Sequence, residues 1–136
     1  MTTEAIQDSG ETRVGGEMLA QISNEMVGLY KGLFGRGPTR ARTNWAGPDT
    51  LICTLENSLT PAEKSLVALG ENQRLRDVRL FFQHATEDRF REVVERLTSR
   101  EVRGFVSGMD VEQDIAAELF YLVPEDGVLD AGLSEG

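Results

Sequence analysis

Four cations, Lys31, Arg36, Arg40 and Arg42, fall in a stretch from Met26 to Pro48 that contains no Asp or Glu, in a chain of formal charge −9. Guanidinium groups bind carboxylate or phosphate oxygens in pairs, and a glycine-bracketed turn aims backbone N–H groups outward as an anion nest. The segment Phe34–Trp45, FGRGPTRARTNW, offers both features. Gly35, Arg36, Gly37, Arg40 and Arg42 are therefore the candidate binding residues, and their chemistry suits an anion or an acidic partner. A purely structural reading stands beside it. Gly35 would be the left-handed stop of a helix, with Arg36 paired to that helix's terminal carbonyls or to a nearby Glu.

Other chemistries find less support. Arg40 and Arg42 share a strand face and Trp45 is near, which suggests nucleic acid, but alternation puts Trp45 on the opposite face and the chain as a whole is acidic. The loop lacks the Gly-Lys-Ser/Thr ending of a P-loop. His84 and Cys53 are each the only residue of their type, too few for a zinc site. Asp110-Val111-Glu112-Gln113-Asp114 fails as a calcium loop where Ile115 and Tyr121 replace the required glycine and glutamate, and it reads as a turn. His84 has no nucleophile with a visible reason to lie beside it, and Glu92 and Glu95 read as ion-pair partners of Arg89, Arg91 or Arg96. The expectation is a non-enzymatic protein without metal or cofactor.

Charge is segregated along the chain. No Lys or Arg follows Arg103, whereas eight acids do, and residues 1–17 hold four acids against Arg13. Residues 18–103 carry a formal charge of about +2. A single cysteine permits no internal disulfide and predicts a reducing, cytoplasmic setting. No apolar run reaches the roughly 18–20 residues that span a bilayer, so a membrane role would come through a partner, and no direct insertion is expected.

Several elements must position these residues. Leu19, Ile22, Met26, Leu29 and Leu33 recur at helical spacing, predicting a helix from Gly15-Gly16 to a stop at Gly35. Arg40–Trp45 alternates, with Ala41, Thr43 and Trp45 on one face and Arg40, Arg42 and Asn44 on the other. Ala46–Asp49 turns the chain into a second strand over Thr50–Leu55. Thr60-Pro61-Ala62-Glu63 spells an N-cap, an N1 proline and a capping box, so a helix starts there and stops at Gly70. Leu75, Val78, Phe82, Phe90, Val93 and Leu97 predict one long amphipathic helix ending near Thr98. Adjacent Phe81 and Phe82 diverge on it, so that one of them reaches a second protein. Glu101–Gly108 and Ile115–Val123 predict a second hairpin, closed by Pro124. The expected fold is α+β: helix, β-hairpin, two helices, β-hairpin, with a four-stranded antiparallel sheet and helices on one face. Residues 1–14 read as a mobile leader, 15–124 as one domain and 125–136 as an acidic flexible tail. An exposed edge strand would favour a homodimer.

The pieces GG-x-x-x-A-x-ISN at 15–24, GRGP-x-x-A-x-T at 35–43, LT-x-x-E at 59–63, R-x-x-F at 79–82, LTSR-x-V at 97–102 and the closing AELFYL together resemble the MpsC-like family. Those small proteins are named for a component of a sodium-translocating, membrane-potential-generating system. The resemblance implies an accessory or regulatory subunit of a membrane ion-transport system, partnered by a transport-system protein. It supplies no catalytic residue to carry over. A small-ligand sensor for a nucleotide or inorganic anion is the alternative.

Overall fold

The computed structural model describes residues 9–125. Helix α1 (Ser9–Phe34) is followed by strands β1 (Arg40–Trp45) and β2 (Thr50–Glu56), helices α2 (Pro61–Ala68), α3 (Asn72–Ala85) and α4 (Glu87–Thr98), and strands β3 (Val102–Asp110) and β4 (Ile115–Leu122). α1 begins ahead of the Gly15-Gly16 pair where the sequence predicts its start. Each glycine costs about 1 kcal/mol relative to alanine but removes no backbone hydrogen bond, so the helix passes through both. Residues 1–8 of the expected leader and 126–136 of the expected tail lie outside the described residues.

The four strands form one antiparallel sheet in the order β1-β2-β4-β3, so the two predicted hairpins join through β2 and β4 at its centre. Ile22, Met26 and Tyr30 of α1 pack with Phe90, Val93 and Val94 of α4 on one sheet face, against Leu51, Cys53 and Leu55 of β2 and Ala116, Phe120 and Leu122 of β4. The alternation of β2 and β4 sends every second residue into this core, as a half-buried sheet requires. A smaller cluster of Leu59, Leu75 and Val111 ties α3 to the turn between β3 and β4.

Local signals account for the junctions. Thr60 Oγ1 accepts from Glu63 N at 3.2 Å and Glu63 Oε1 accepts from Thr60 N at 2.8 Å, completing the capping box. Gly35 takes φ +83° and its N–H donates to Lys31 O at 2.9 Å, ending α1 in the left-handed region. No atom lies within 4 Å of a Cβ built there, so Gly35→Ala meets only backbone strain. It is expected to lower stability by about 1 kcal/mol, read as a drop in the thermal midpoint.

The long helix predicted after Gly70 is two helices. Thr86 leaves helical geometry at φ −116°, ψ 24°, and its hydroxyl donates to Phe82 O at 2.7 Å. A β-branched residue whose side chain competes for the backbone acceptor bends the chain at that point. The predicted inward stripe of α3 is also corrected. Val78, Phe81 and Phe82 face outward, at 46%, 66% and 41% exposure, while Leu75, Arg79 and Gln83 are the buried residues of this helix. The physical reason lies across the interface: Glu63 and Glu118 await donors, and a buried carboxylate selects Arg79 and Gln83 over Val78 and Phe82.

Candidate functional site

The arginine segment divides into an inward and an outward half. Arg36 is partly buried, and its Nη1 donates to Asn57 O at 2.7 Å and Leu59 O at 3.1 Å, with Asn57 Oδ1 at 3.4 Å. It thus latches the exit of α1 to the segment that follows β2, rather than meeting the carbonyls of its own helix or a Glu. Gly37 is held close to α1: a Cβ there would stand 3.1 Å from Val27 Cγ1 and 3.2 Å from Val27 O. Pro38 is buried and stiffens the exit into β1. Gly35, Arg36 and Gly37 therefore serve the fold, each for a separate physical reason.

Arg40 and Arg42 are exposed on the opposite sheet face from the core. Among the described residues no carboxylate lies within ion-pair distance of either guanidinium, although Glu56 stands opposite Arg40 in the strand register. Beside them a shallow open groove of about 370 Å³ runs between α1 and β1, lined by Ser23, Asn24, Arg42, Thr43 and Asn44 and floored by Leu19 and Ala20. Trp45 does not join the arginines. It faces away and lies under Arg100, whose Cζ is 5.9 Å from the ring centroid.

The sequence reading missed a chain of buried polar groups beneath the sheet. Arg79, with no exposed surface, grips Glu63 with two hydrogen bonds, Nε to Oε2 at 2.8 Å and Nη2 to Oε1 at 2.6 Å. It also donates to Ser58 O at 3.0 Å, and its guanidinium lies 3.8 Å from the Phe34 ring centroid. Burial alone would push the Glu63 carboxyl up, but the hydrogen bonds from Arg79 and Thr60 hold it below its ordinary value. One turn along α3, Gln83 Nε2 donates to Glu118 Oε2 at 2.7 Å and to Tyr30 Oη at 2.6 Å. Tyr30 Oη donates in turn to Glu118 Oε2 at 2.5 Å.

Glu118 is fully buried at the centre of the sheet, in a row that reads Thr43, Cys53, Glu118, Ser107 across the four strands. Ser23 of α1 extends the row through a 2.8 Å hydrogen bond to Thr43. Burial pushes the Glu118 carboxyl up to about 7, against the hydrogen bond from Tyr30 and the nearby Ser107 hydroxyl. Burial likewise raises Cys53 to about 11, and burial and the neighbouring Glu118 raise Tyr30 well above its ordinary value. One signal for these residues was present in the sequence: R-x-x-F and LT-x-x-E are among the pieces of the resemblance, and Arg79 and Glu63 are their charged members.

His84 is exposed, on the surface of α3. Glu92 accepts from Arg96 at 2.9 Å, as predicted for this helix, but Glu95 instead accepts from the backbone N–H of Val102 at 2.9 Å. Among the described residues no group of three or more His, Cys, Asp or Glu side chains is placed to hold a metal ion. No described helix is long and apolar enough to cross a membrane.

A family model described as "Na+-translocating membrane potential-generating system (MpsC)" matches residues 15–123. Among curated proteins and among solved structures, nothing matches the chain.

Proposed function

Because the chain belongs to the MpsC family, whose description associates it with a sodium-translocating, membrane-potential-generating system, we propose that it is a non-enzymatic accessory or regulatory subunit of such a system. It binds an acidic partner through Arg40 and Arg42, from the cytoplasmic side, and reaches the membrane only by way of that partner. The observation that carries this reading is the pair of exposed arginines on an acidic chain, with no carboxylate within ion-pair distance of either among the described residues. Exposed guanidinium groups supply directional, charge-assisted hydrogen bonds and steer association through their long-range field.

The test separates binding from folding. Arg40→Ala with Arg42→Ala is expected to weaken capture of the transport-system protein about tenfold while the thermal melt stays put, because both side chains lie outside the core. Arg36→Ala should do the reverse, lowering the melt and sparing the binding surface. Unchanged binding in the Arg40/Arg42 pair would reject the site.

The groove beside Arg42 favours a second reading, a sensor of a small anion or nucleotide. Exposed Asn24 and Asn44 supply hydrogen-bonding groups next to the guanidinium, with the mutually bonded Ser23 and Thr43 hydroxyls behind them. A ligand-specific rise in melting temperature across a panel of inorganic anions and nucleotides would support the sensor. A flat panel together with capture of a membrane protein supports the subunit.

A further inference from the structure

The helices and the core occupy one face of the sheet, and the other face is lined by side chains that none of the described helices covers. Its rows follow from the strand register. Reading from β1 through β2 and β4 to β3, the first row is Arg40, Glu56, Ile115, Asp110. The next is Arg42, Thr54, Ala117, Gly108, and the third is Asn44, Ile52, Leu119, Val106. Val106 is 51% exposed and Ile115 40%, so this face offers aliphatic surface to solvent.

We infer that this uncovered face joins two copies of the chain, sheet on sheet, about a dyad that runs along the strands between β2 and β4. Charge and shape point to a second copy rather than to a foreign surface. The face is not uniformly basic. It is positive along β1, at Arg40 and Arg42, and negative at Glu56 on β2 and at Asp110 on β3, and a surface that is positive at one edge and negative at the other is complementary to its own reverse. The dyad exchanges the two edges, which sets Arg40 of each copy over Asp110 of the other. Gly108, having no side chain, leaves room for Arg42 of the opposite copy. In the third row Ile52 meets Leu119 of the second copy, twice, forming an apolar centre under a polar rim. Sheets that pack this way lie about 10 Å apart with their strands nearly aligned, a spacing that the Thr54 and Ala117 row tolerates and the Ile52 and Leu119 row fills.

The dimer draws on the same exposed arginines as the preceding reading and goes beyond it: the acidic group that Arg40 meets is Asp110 of a second copy, and a transport-system protein would compete with that copy for Arg40 and Arg42. Sedimentation of the full chain at micromolar and higher concentrations is expected to give twice the 15.0 kDa of one chain. Val106→Asp should return the single-chain mass with an unaltered circular-dichroism melt, because the side chain lies outside the core. Arg40→Asp and Asp110→Arg should each weaken the dimer about tenfold, and the double exchange, which restores opposite charges across the dyad, should recover it. Asp110 Oδ1 also accepts from Gln113 N in the turn, and only the recovery by the double variant separates pairing from turn stability.

A full chain that stays monomeric overturns the inference. That holds whether hydrogen exchange finds the face protected by residues 126–136 or left open for a different protein. A dimer that Val106→Asp leaves intact overturns it equally. The two readings fail separately: a wild-type chain that stays monomeric yet captures the partner, with capture lost on removing Arg40 and Arg42, would keep the subunit reading while the dimer falls.

Discussion

Replacing Arg79 with alanine is expected to lower the stability of the fold by about 3–5 kcal/mol, the largest effect of any substitution considered for this chain. The guanidinium has no exposed surface, and its two hydrogen bonds to Glu63 align the planar fork with both carboxylate oxygens. Truncation leaves Glu63 with only its cap contacts, strands the carbonyl of Ser58 and opens a cavity against Phe34. Removing one partner of a buried pair costs more than the pair itself contributes, because the survivor stays desolvated without its counter-charge. Against a total stability of about 5–15 kcal/mol this is a large fraction. Urea titration should show the midpoint fall with little change in slope. Arg79→Ala and Glu63→Ala should be far from additive, and an additive cycle would mean that the two side chains do not act as a unit.

The second large effect is a stability that declines as pH rises toward neutrality. Glu118 has its carboxyl raised from 4.5 to about 7 in the folded protein, so between those values the folded state holds a proton that the unfolded state has lost. The stabilising contribution is therefore complete below about pH 4.5, fades as pH climbs to about 7, and amounts to about 3 kcal/mol across the window. The groups that face Glu118 are Tyr30 on α1, Gln83 on α3, Cys53 on β2 and Ser107 on β3, and Arg79 on α3 acts on Tyr30. Tyr30 and Cys53 are both displaced upward and stay neutral throughout, and Arg79 stays paired with Glu63.

Glu63 contributes with the opposite sign. Its folded carboxyl lies below 4.5, so its share is present above that value and lost only in more acidic solution. The two windows do not overlap. Glu118→Gln should keep the acceptor for Tyr30 and abolish the decline above pH 4.5, and equal slopes in wild type and variant would exclude Glu118 as its source.

The arginine segment shows how far local reading carries. Gly35 ends α1 at the left-handed geometry its lack of a Cβ permits, the capping box at Thr60 and Glu63 forms as spelled, and both hairpins appear with Arg40 and Arg42 facing away from the core. Arg36 escaped that reading because its acceptors, the carbonyls of Asn57 and Leu59, are remote in sequence and adjacent only once β2 returns beside β1. The stripe assigned to α3 went astray for a related reason. Hydropathy alone favours Val78 and Phe82 as the buried pair, and nothing in the helix itself announces that two carboxylates wait on the far side.

The sequence by itself determined what depends on neighbours along the chain: where helices start and stop, which strands alternate, where positive charge gathers, and to which family the motifs point. Tertiary structure decided the strand order, the bend at Thr86, the inward turn of Arg36, Arg79 and Gln83, and the burial of Glu118 at the sheet's centre. A cap or a turn is satisfied within a few residues, whereas a buried polar group is stable only where distant segments bring it a partner, and that pairing exists only after the chain has folded.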